Sequence, residues 1–91
     1  MARIKELVWP KRFTRALRKR VAGTVSETQF REKLLLFVDN PFDPRLKTHK
    51  LTGGLEGRWA FSVAYDCRVV FRFLSDDTVL LIDIGSHDDV Y

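Results

Sequence analysis

The residues best suited to acid–base chemistry lie at the C-terminal end of the chain and in one long connection. His87 and Tyr91 follow a run of apolar residues, and His49 lies in a segment rich in proline and glycine. An unperturbed imidazole has a pKa of about 6.5, so it can donate or accept a proton near neutral pH. The pattern therefore marks the end of the chain as a candidate reaction centre.

Three predicted strands lead up to this end. Residues 59–65 and 67–73 alternate apolar and other residues with a period of two, which is typical of strands. Residues 78–84 form a nearly unbroken apolar run, as expected for a strand covered on both faces in the middle of a sheet. Short turns separate the three segments, which predicts an antiparallel meander.

The meander brings polar groups together. The end of the last strand should lie beside the start of the strand before it, because the two are antiparallel neighbours. We therefore expect His87 to lie near Asp66 and Arg68. The connection over residues 41–57, which carries His49, should fold over the same end.

The N-terminal half predicts a strand followed by a helical hairpin. Residues 3–9 read as a strand, with Leu7, Val8 and Trp9 entering the core and Pro10 ending it. A first helix then runs to Gly23, and a second begins near 24–26 and ends at Asn40-Pro41. Their apolar stripes are Phe13, Ala16, Leu17 and Val21 in the first helix, and Phe30, Leu34, Phe37 and Val38 in the second.

These elements predict one α+β domain over residues 1–91. An N-terminal strand and a two-helix hairpin would pack on one face of a mainly antiparallel sheet. The composition, 45% hydrophobic and 31% charged, is that of a globular chain.

Several classes of site are not indicated. The sequence has no glycine-rich phosphate loop and no Cys/His spacing for zinc, which predicts neither a cofactor nor a metal. Its single cysteine, Cys67, lies in a strand pattern and is expected to fill the core. The single thiol favours a reducing cytoplasm. The N-terminal residues lack the apolar core of a signal peptide, and no apolar run reaches the roughly 20 residues needed to cross a bilayer, so we expect no membrane contact.

Positive charge is concentrated at the N-terminal end. Residues 1–25 carry a net charge of +7 and residues 76–91 a net charge of −5, within a total of +4. The basic face of the first helix is either a solvated surface or a contact for a polyanion or acidic partner. Its members are Lys11, Arg12, Arg15, Arg18, Lys19 and Arg20.

Two imidazoles, a carboxylate and nearby cations suit one reaction class. RNA can be cleaved without a metal by its own 2′-hydroxyl when a base removes that proton and an acid protonates the departing 5′-oxygen. Cations then stabilise the charge that develops on the phosphorus centre. Each of these residues, taken alone, also fits an ordinary surface or turn position.

The chain resembles the RelE/ParE superfamily of bacterial toxins, and within it the YafQ-like messenger-RNA interferases. The segments that carry the resemblance are residues 43–53, 59–68 and 83–91, in that order. The resemblance implies a RelE-like, microbial-RNase-like fold. It also implies a ribosome-dependent endoribonuclease that cuts mRNA in the decoding site.

The same resemblance implies roles for individual residues. His87 corresponds to the leading acid, with His49 and Asp66 assisting as base or positioner. The RNA-binding residues would be Arg68, Lys47, Lys50, Tyr91 and Arg45. Two positions depart from the family pattern: Ser62 stands where a further histidine can occur, and Cys67 where an aromatic residue can.

The resemblance also implies partners and a rival function. The partners would be a cognate antitoxin and the ribosome, whose 16S rRNA would contact Lys11, Arg12, Arg15, Arg18 and Lys19. The main alternative is a ParE-like toxin that binds and poisons DNA gyrase without nuclease activity, and a third reading is an inactive relative that only binds its antitoxin or an operator complex. An acid–base set is not needed for that alternative.

Overall fold

The computed structural model describes residues 3–55 and 57–91; Met1, Ala2 and Glu56, the last within the predicted connection, lie outside the described residues. The strands form one sheet in the order β1-β5-β4-β3-β2, with β1 parallel to β5 and the other neighbours antiparallel. The predicted α+β class with a mainly antiparallel sheet is confirmed. The elements are β1 (Glu6–Val8), α1 (Lys11–Arg20), α2 (Val25–Asp39), a 3-10 turn (Pro44–Leu46), β2 (His49–Lys50), β3 (Trp59–Ala64), β4 (Cys67–Phe73), β5 (Thr78–Gly85) and α3 (His87–Val90).

A tight turn separates the two long helices. Gly23 has a φ of +80°, a left-handed conformation that a glycine adopts without strain. Thr24 then caps α2, its hydroxyl accepting from the amide of Ser26 at 3.2 Å, while Glu27 accepts from the amide of Gly23 at 2.8 Å. The first bond satisfies an amide that the first turn of a helix leaves open, and the second ties that turn to the residue before the cap. Together they explain why α2 begins where the sequence predicts.

The core lies between the helices and one face of the sheet. Phe37 of α2 stacks on Phe61 of β3 at 4.6 Å between ring centroids and meets Phe71 of β4 edge-on at 4.8 Å. Toward the β5 part of the sheet, α1 packs over β5, and Phe13 of α1 is fully buried. No helix in the described part of the chain is long and apolar enough to cross a bilayer.

The first strand is shorter than predicted. Only Glu6–Val8 pairs with β5, and Trp9, predicted to enter the core, is 37% exposed at its rim. Its ring still meets Phe13 edge-on at 5.1 Å. Ile4 is buried instead, and its amide donates to the carbonyl of Val38 at the end of α2 at 2.8 Å.

The connection between α2 and β3 contains regular structure that its composition does not reveal. A 3-10 turn over Pro44–Leu46 buries Leu46 completely. Three residues after Leu46, β2 begins and pairs with the start of β3, His49 opposite Ala60 and Lys50 opposite Trp59. The segment that carries His49 is therefore fixed to the sheet edge.

We expect Phe37→Ala to destabilise the fold by about 3–5 kcal/mol, because it removes a fully buried ring from contact with two others and leaves a cavity. Urea unfolding followed by circular dichroism would measure this. Leu35→Ala on the same helix is the control: that side chain is 74% exposed, so its loss should change the free energy of unfolding by less than about 0.5 kcal/mol. Equal effects of the two substitutions would contradict this account of the core.

Cys67 lies in the core, as predicted, with 6% of its surface exposed. Burial raises the pKa of its thiol, and the Asp66 carboxylate adds to this while Arg68 opposes it. A raised pKa lowers the thiolate fraction at any given pH. We therefore expect a chromogenic disulfide reagent at pH 8 to react slowly with the folded protein and rapidly in urea. A native rate equal to the unfolded rate would show that the thiol is accessible.

Candidate active site

The pairing of the last two strands brings the predicted site residues together. Arg68, the second residue of β4, pairs with Gly85 at the end of β5. The chain leaving β5 therefore emerges beside the turn that precedes β4. There the amide of His87 donates to a carboxylate oxygen of Asp66 at 3.4 Å.

A single helical turn then folds the end of the chain back over β4. Ser86 begins α3 with a reciprocal cap: its hydroxyl accepts from the amide of Asp89 at 3.2 Å, and the Asp89 carboxylate accepts from the amide of Ser86 at 2.9 Å. The hydrogen bonds from Ser86 lower the pKa of Asp89, and the charges of Arg20 and Lys19 add to this. The turn ends with the amide of Tyr91 bonded to the carbonyl of His87 at 3.0 Å.

Tyr91 lies between two of the candidate residues. Its ring meets the imidazole of His87 edge-on, with 4.7 Å between centroids, and the guanidinium of Arg68 lies 5.9 Å from the same ring. Partial burial raises the pKa of the phenol, with Arg68 acting in the opposite direction. The phenol therefore stays protonated at neutral pH, and its ring limits the positions that His87 can take.

The imidazole of His87 is largely exposed. Its side chain is 64% accessible, and Nδ1 lies 3.8 Å from a carboxylate oxygen of Asp88, an ion pair that forms when the ring is protonated. An exposed imidazole that can exchange protons with water, beside a carboxylate, is suited to general acid–base chemistry.

His49 and Tyr91 line the same open concavity of about 370 Å³. Nδ1 of His49 lies 2.9 Å from the carbonyl oxygen of Lys47. A carbonyl only accepts hydrogen bonds, so we assign the hydrogen of the neutral ring to Nδ1. Nε2 then keeps its lone pair and can accept a proton.

Lys50 lines this concavity as well, but its ammonium lies 5.5 Å from the ring centroid of Trp59. Successive residues of a strand point to opposite faces of the sheet, so Lys50 and its neighbour His49 diverge. Lys50, one of the predicted RNA-binding cations, is therefore directed toward the ring of Trp59. No group of three or more His, Cys, Asp and Glu able to hold a metal ion occurs within residues 3–55 and 57–91.

A second concavity, of about 360 Å³, borders the outer edge of β3. Because β2 pairs only with the first two residues of β3, the remainder of this edge has no neighbouring strand among the described residues. The cations that line it are Lys33, Arg45, Lys47 and Arg68, and Ser62 lies among them. We call these four cations with Ser62 the cationic concavity.

The charges of the cationic concavity are not equally available. Arg45 is held by Asp43 through two bonds, from Nε at 3.0 Å and from Nη2 at 2.8 Å. The bonds from Arg45 lower the pKa of Asp43 to about 2. Lys33, Lys47 and Arg68 form no ion pair with any residue that the structure describes. These three are therefore the cations best placed to bind an anion.

Lys33 was not among the residues predicted from the sequence. It lies on α2, where a lysine among glutamates and leucines reads as a solvated side chain. Its ammonium, however, lies 3.5 Å from the carbonyl oxygen of Val63, at the open edge of β3. Only the packing of α2 on β3 reveals this, and no local pattern carries the signal.

The predicted basic helix face is present on α1. Lys11, Arg12, Arg15, Arg18 and Lys19 are exposed, and none forms an ion pair within the described part of the chain. Arg20 differs, since its guanidinium donates to Asp83 at 2.9 Å. Five of the six predicted members of this face are thus open to a partner.

Solved structures resemble this fold closely. A copper-bound mutant toxin from Helicobacter pylori matches with a TM-score of 0.75 at 24% identity, over 94% of this chain and 98% of that one. A YafQ mutant from Escherichia coli matches with a TM-score of 0.78 at 15% identity, over 93% and 96%. The E. coli DinJ–YafQ toxin–antitoxin complex matches with a TM-score of 0.76 at 15% identity, over 93% and 94%. At these identities the likeness is one of fold.

Sequence comparison supplies the family. The curated proteins include no match to this chain. The sequence profile of a family described as a bacterial toxin of type II toxin–antitoxin system, YafQ, matches residues 5–91. The predicted resemblance is therefore confirmed, and this chain belongs to the YafQ family of toxins from bacterial type II toxin–antitoxin systems.

Proposed function

We propose that this chain is a ribosome-dependent endoribonuclease that cleaves mRNA in the ribosomal A site and so inhibits translation. The observation that best supports this proposal is the convergence of His87, Asp66, Tyr91 and Arg68 at one end of the sheet, beside the cationic concavity. Acid–base groups next to unpaired cations are the parts that cleavage of a phosphodiester by its own 2′-hydroxyl requires.

The reaction is an internal displacement that needs no metal. A base removes the proton of the 2′-hydroxyl, and the 2′-oxygen attacks the adjacent phosphorus. The bond from phosphorus to the 5′-oxygen breaks, and an acid protonates that oxygen. The products are a 2′,3′-cyclic phosphate and a 5′-hydroxyl.

His87 is the proposed acid. Its exposed imidazole can reach a substrate that lies across the end of the sheet, while the ring of Tyr91 restricts its orientation. His49 is the better candidate for the base, because its Nδ1–H is engaged by a carbonyl and Nε2 is left to accept a proton. Asp66, which accepts the amide of His87, would position the acid or take part in proton transfer.

The cations would bind the RNA backbone. Arg68 and Lys47 are proposed to hold the scissile phosphate, and Lys33 extends the same surface from α2. Arg45 and Lys50 were predicted to join them, but their engagement by Asp43 and Trp59 gives them the weaker role. Tyr91 offers a ring on which a base can stack.

The proposed partners follow from the charge of the surface. The open cations of α1, Lys11, Arg12, Arg15, Arg18 and Lys19, are proposed to contact 16S rRNA. The E. coli relative is known in complex with an antitoxin, DinJ. We propose that this chain likewise binds a cognate antitoxin in the cytoplasm, through an acidic segment complementary to its basic surface.

We expect purified protein in a cell-free translation reaction to cut mRNA at fixed codon positions, and His87→Ala to lower the rate of cutting about 10²–10⁴-fold, because the leaving oxygen loses its acid. Primer extension would map the ends. A lane of mRNA without ribosomes is the control for ribosome dependence.

Two other outcomes of this assay are informative. Cuts that persist in His87→Ala would keep the nuclease and move the acid to His49 or Asp66. An uncut messenger, together with inhibition of gyrase supercoiling, would replace the proposal by the ParE-like alternative.

Lys33→Gln tests the cationic concavity. We expect weaker binding to a short single-stranded RNA, with the slope of log affinity against log salt concentration reduced by about 0.7, since one phosphate contact is lost. The matched control is Arg31→Gln on the same helix, an exposed cation paired with Glu27. Fluorescence anisotropy at several salt concentrations would measure both, and equal slopes for the two variants would remove Lys33 from the RNA surface.

A further inference from the structure

Arg20, the last residue of α1, connects three elements around the end of the sheet. Its Nη1 donates to a carboxylate oxygen of Asp83 at 2.9 Å and to the carbonyl oxygen of Ile84 at 3.0 Å, both on β5. Its Nε lies 3.9 Å from a carboxylate oxygen of Asp89 on α3. The guanidinium of this α1 residue thus contacts both β5 and the turn that carries His87.

The packing around Gly85 shows how closely these groups meet. A Cβ atom added at Gly85 would lie 2.7 Å from Cβ of Asp89 and 2.9 Å from Cδ of Arg20. Real Cβ atoms do not approach other atoms this closely. The stem of Arg20 and the side chain of Asp89 therefore close over Gly85, and any side chain there would push them apart.

The geometry suits an arginine in particular. Its planar fork can donate to several acceptors at once, whereas a lysine presents one compact charge. The side chain of Arg20 is only 28% exposed and that of Asp83 23%, so this pair is screened less than an ordinary surface ion pair. Asp89 also caps α3 through Ser86, so its contact with Arg20 acts on the helical turn itself.

We infer that Arg20 is a positioning residue, which fixes α3 against the end of β5 and so holds His87 and Tyr91 where the proposed reaction needs them. This inference rests on the proposed nuclease function. Arg20 acts through Asp89 and Gly85 rather than on the substrate. In this respect it differs from the exposed cations of the same helix.

The test compares Arg20→Gln with Arg31→Gln, an exposed, ion-paired arginine far along the chain from α3. Backbone ¹⁵N order parameters of residues 86–91 would report on the tail independently of activity. We expect them to fall from about 0.85 to below about 0.6 in Arg20→Gln and to be unchanged in Arg31→Gln. The maximal rate of ribosome-dependent cutting should fall about tenfold or more in Arg20→Gln, since a small misplacement of the acid slows the reaction strongly.

Two further readings separate positioning from binding. The ribosome concentration at half-maximal rate should stay within about twofold of the wild type, because the lost interaction affects the chemical step. Arg20→Lys should restore part of the rate.

Gly85→Ala leaves Arg20 intact but crowds it. This variant should loosen residues 86–91 and slow cutting in the same way, and it replaces Arg20→Gln as the test if Arg20→Gln does not fold.

The inference is overturned if residues 86–91 stay rigid in Arg20→Gln and Gly85→Ala. It is also overturned if the tail becomes mobile while the rate of cutting equals that of the wild type. A wild type that cuts no messenger overturns the nuclease proposal, and with it the catalytic part of the positioning role. That failure is recognised from the wild-type reaction alone, whereas the order parameters still report whether Arg20 holds α3.

Discussion

The pairing of β4 with β5 determines where His87 and Tyr91 lie relative to Asp66 and Arg68. Phe71 pairs with Leu81, but Val69 pairs with Ile84, so β5 contains one extra residue between these positions. Leu81 and Ile84 would point to opposite faces of a regular strand, because side chains alternate. The bulge lets both be fully buried on the helix side. The extra residue therefore also sets the register in which Gly85 pairs with Arg68, and so the point at which the tail leaves the sheet.

The basic and acidic ends of the sequence form ion pairs with each other inside the molecule. The basic N-terminal segment and the acidic C-terminal segment meet where Arg20 contacts Asp83 and where Lys5 lies 3.9 Å from Asp77. The second pair is exposed, and such pairs contribute little to stability. The first is half-buried and joins a helix to a strand. The remaining cations of α1 form no ion pair within the described part of the chain, so the fold uses only part of the segregated charge.

Much of the fold follows from local pattern. The period-two strands, the cap at Thr24 and the glycine turn at Gly23 were predictable, although α1 itself ends three residues earlier, at Arg20. The antiparallel order of the last strands was enough to bring His87 to Asp66. Three features were not predictable. A three-residue strand carries too little pattern to show that β1 is parallel to β5, the bulge in β5 has no local signal, and Lys33 and Arg20 acquire their contacts only through packing.

The open edge of β3 has a consequence for the behaviour of the protein in solution. An unpaired strand edge is a template on which another chain can add a strand, and proteins commonly guard such edges with lysine. Here the ammonium of Lys33 lies against the carbonyl of Val63, and Lys47 and Arg68 border the same concavity. Two copies that approached edge to edge would bring these like charges together. These cations thus oppose self-association, and a variant stripped of them would gain a tendency to aggregate.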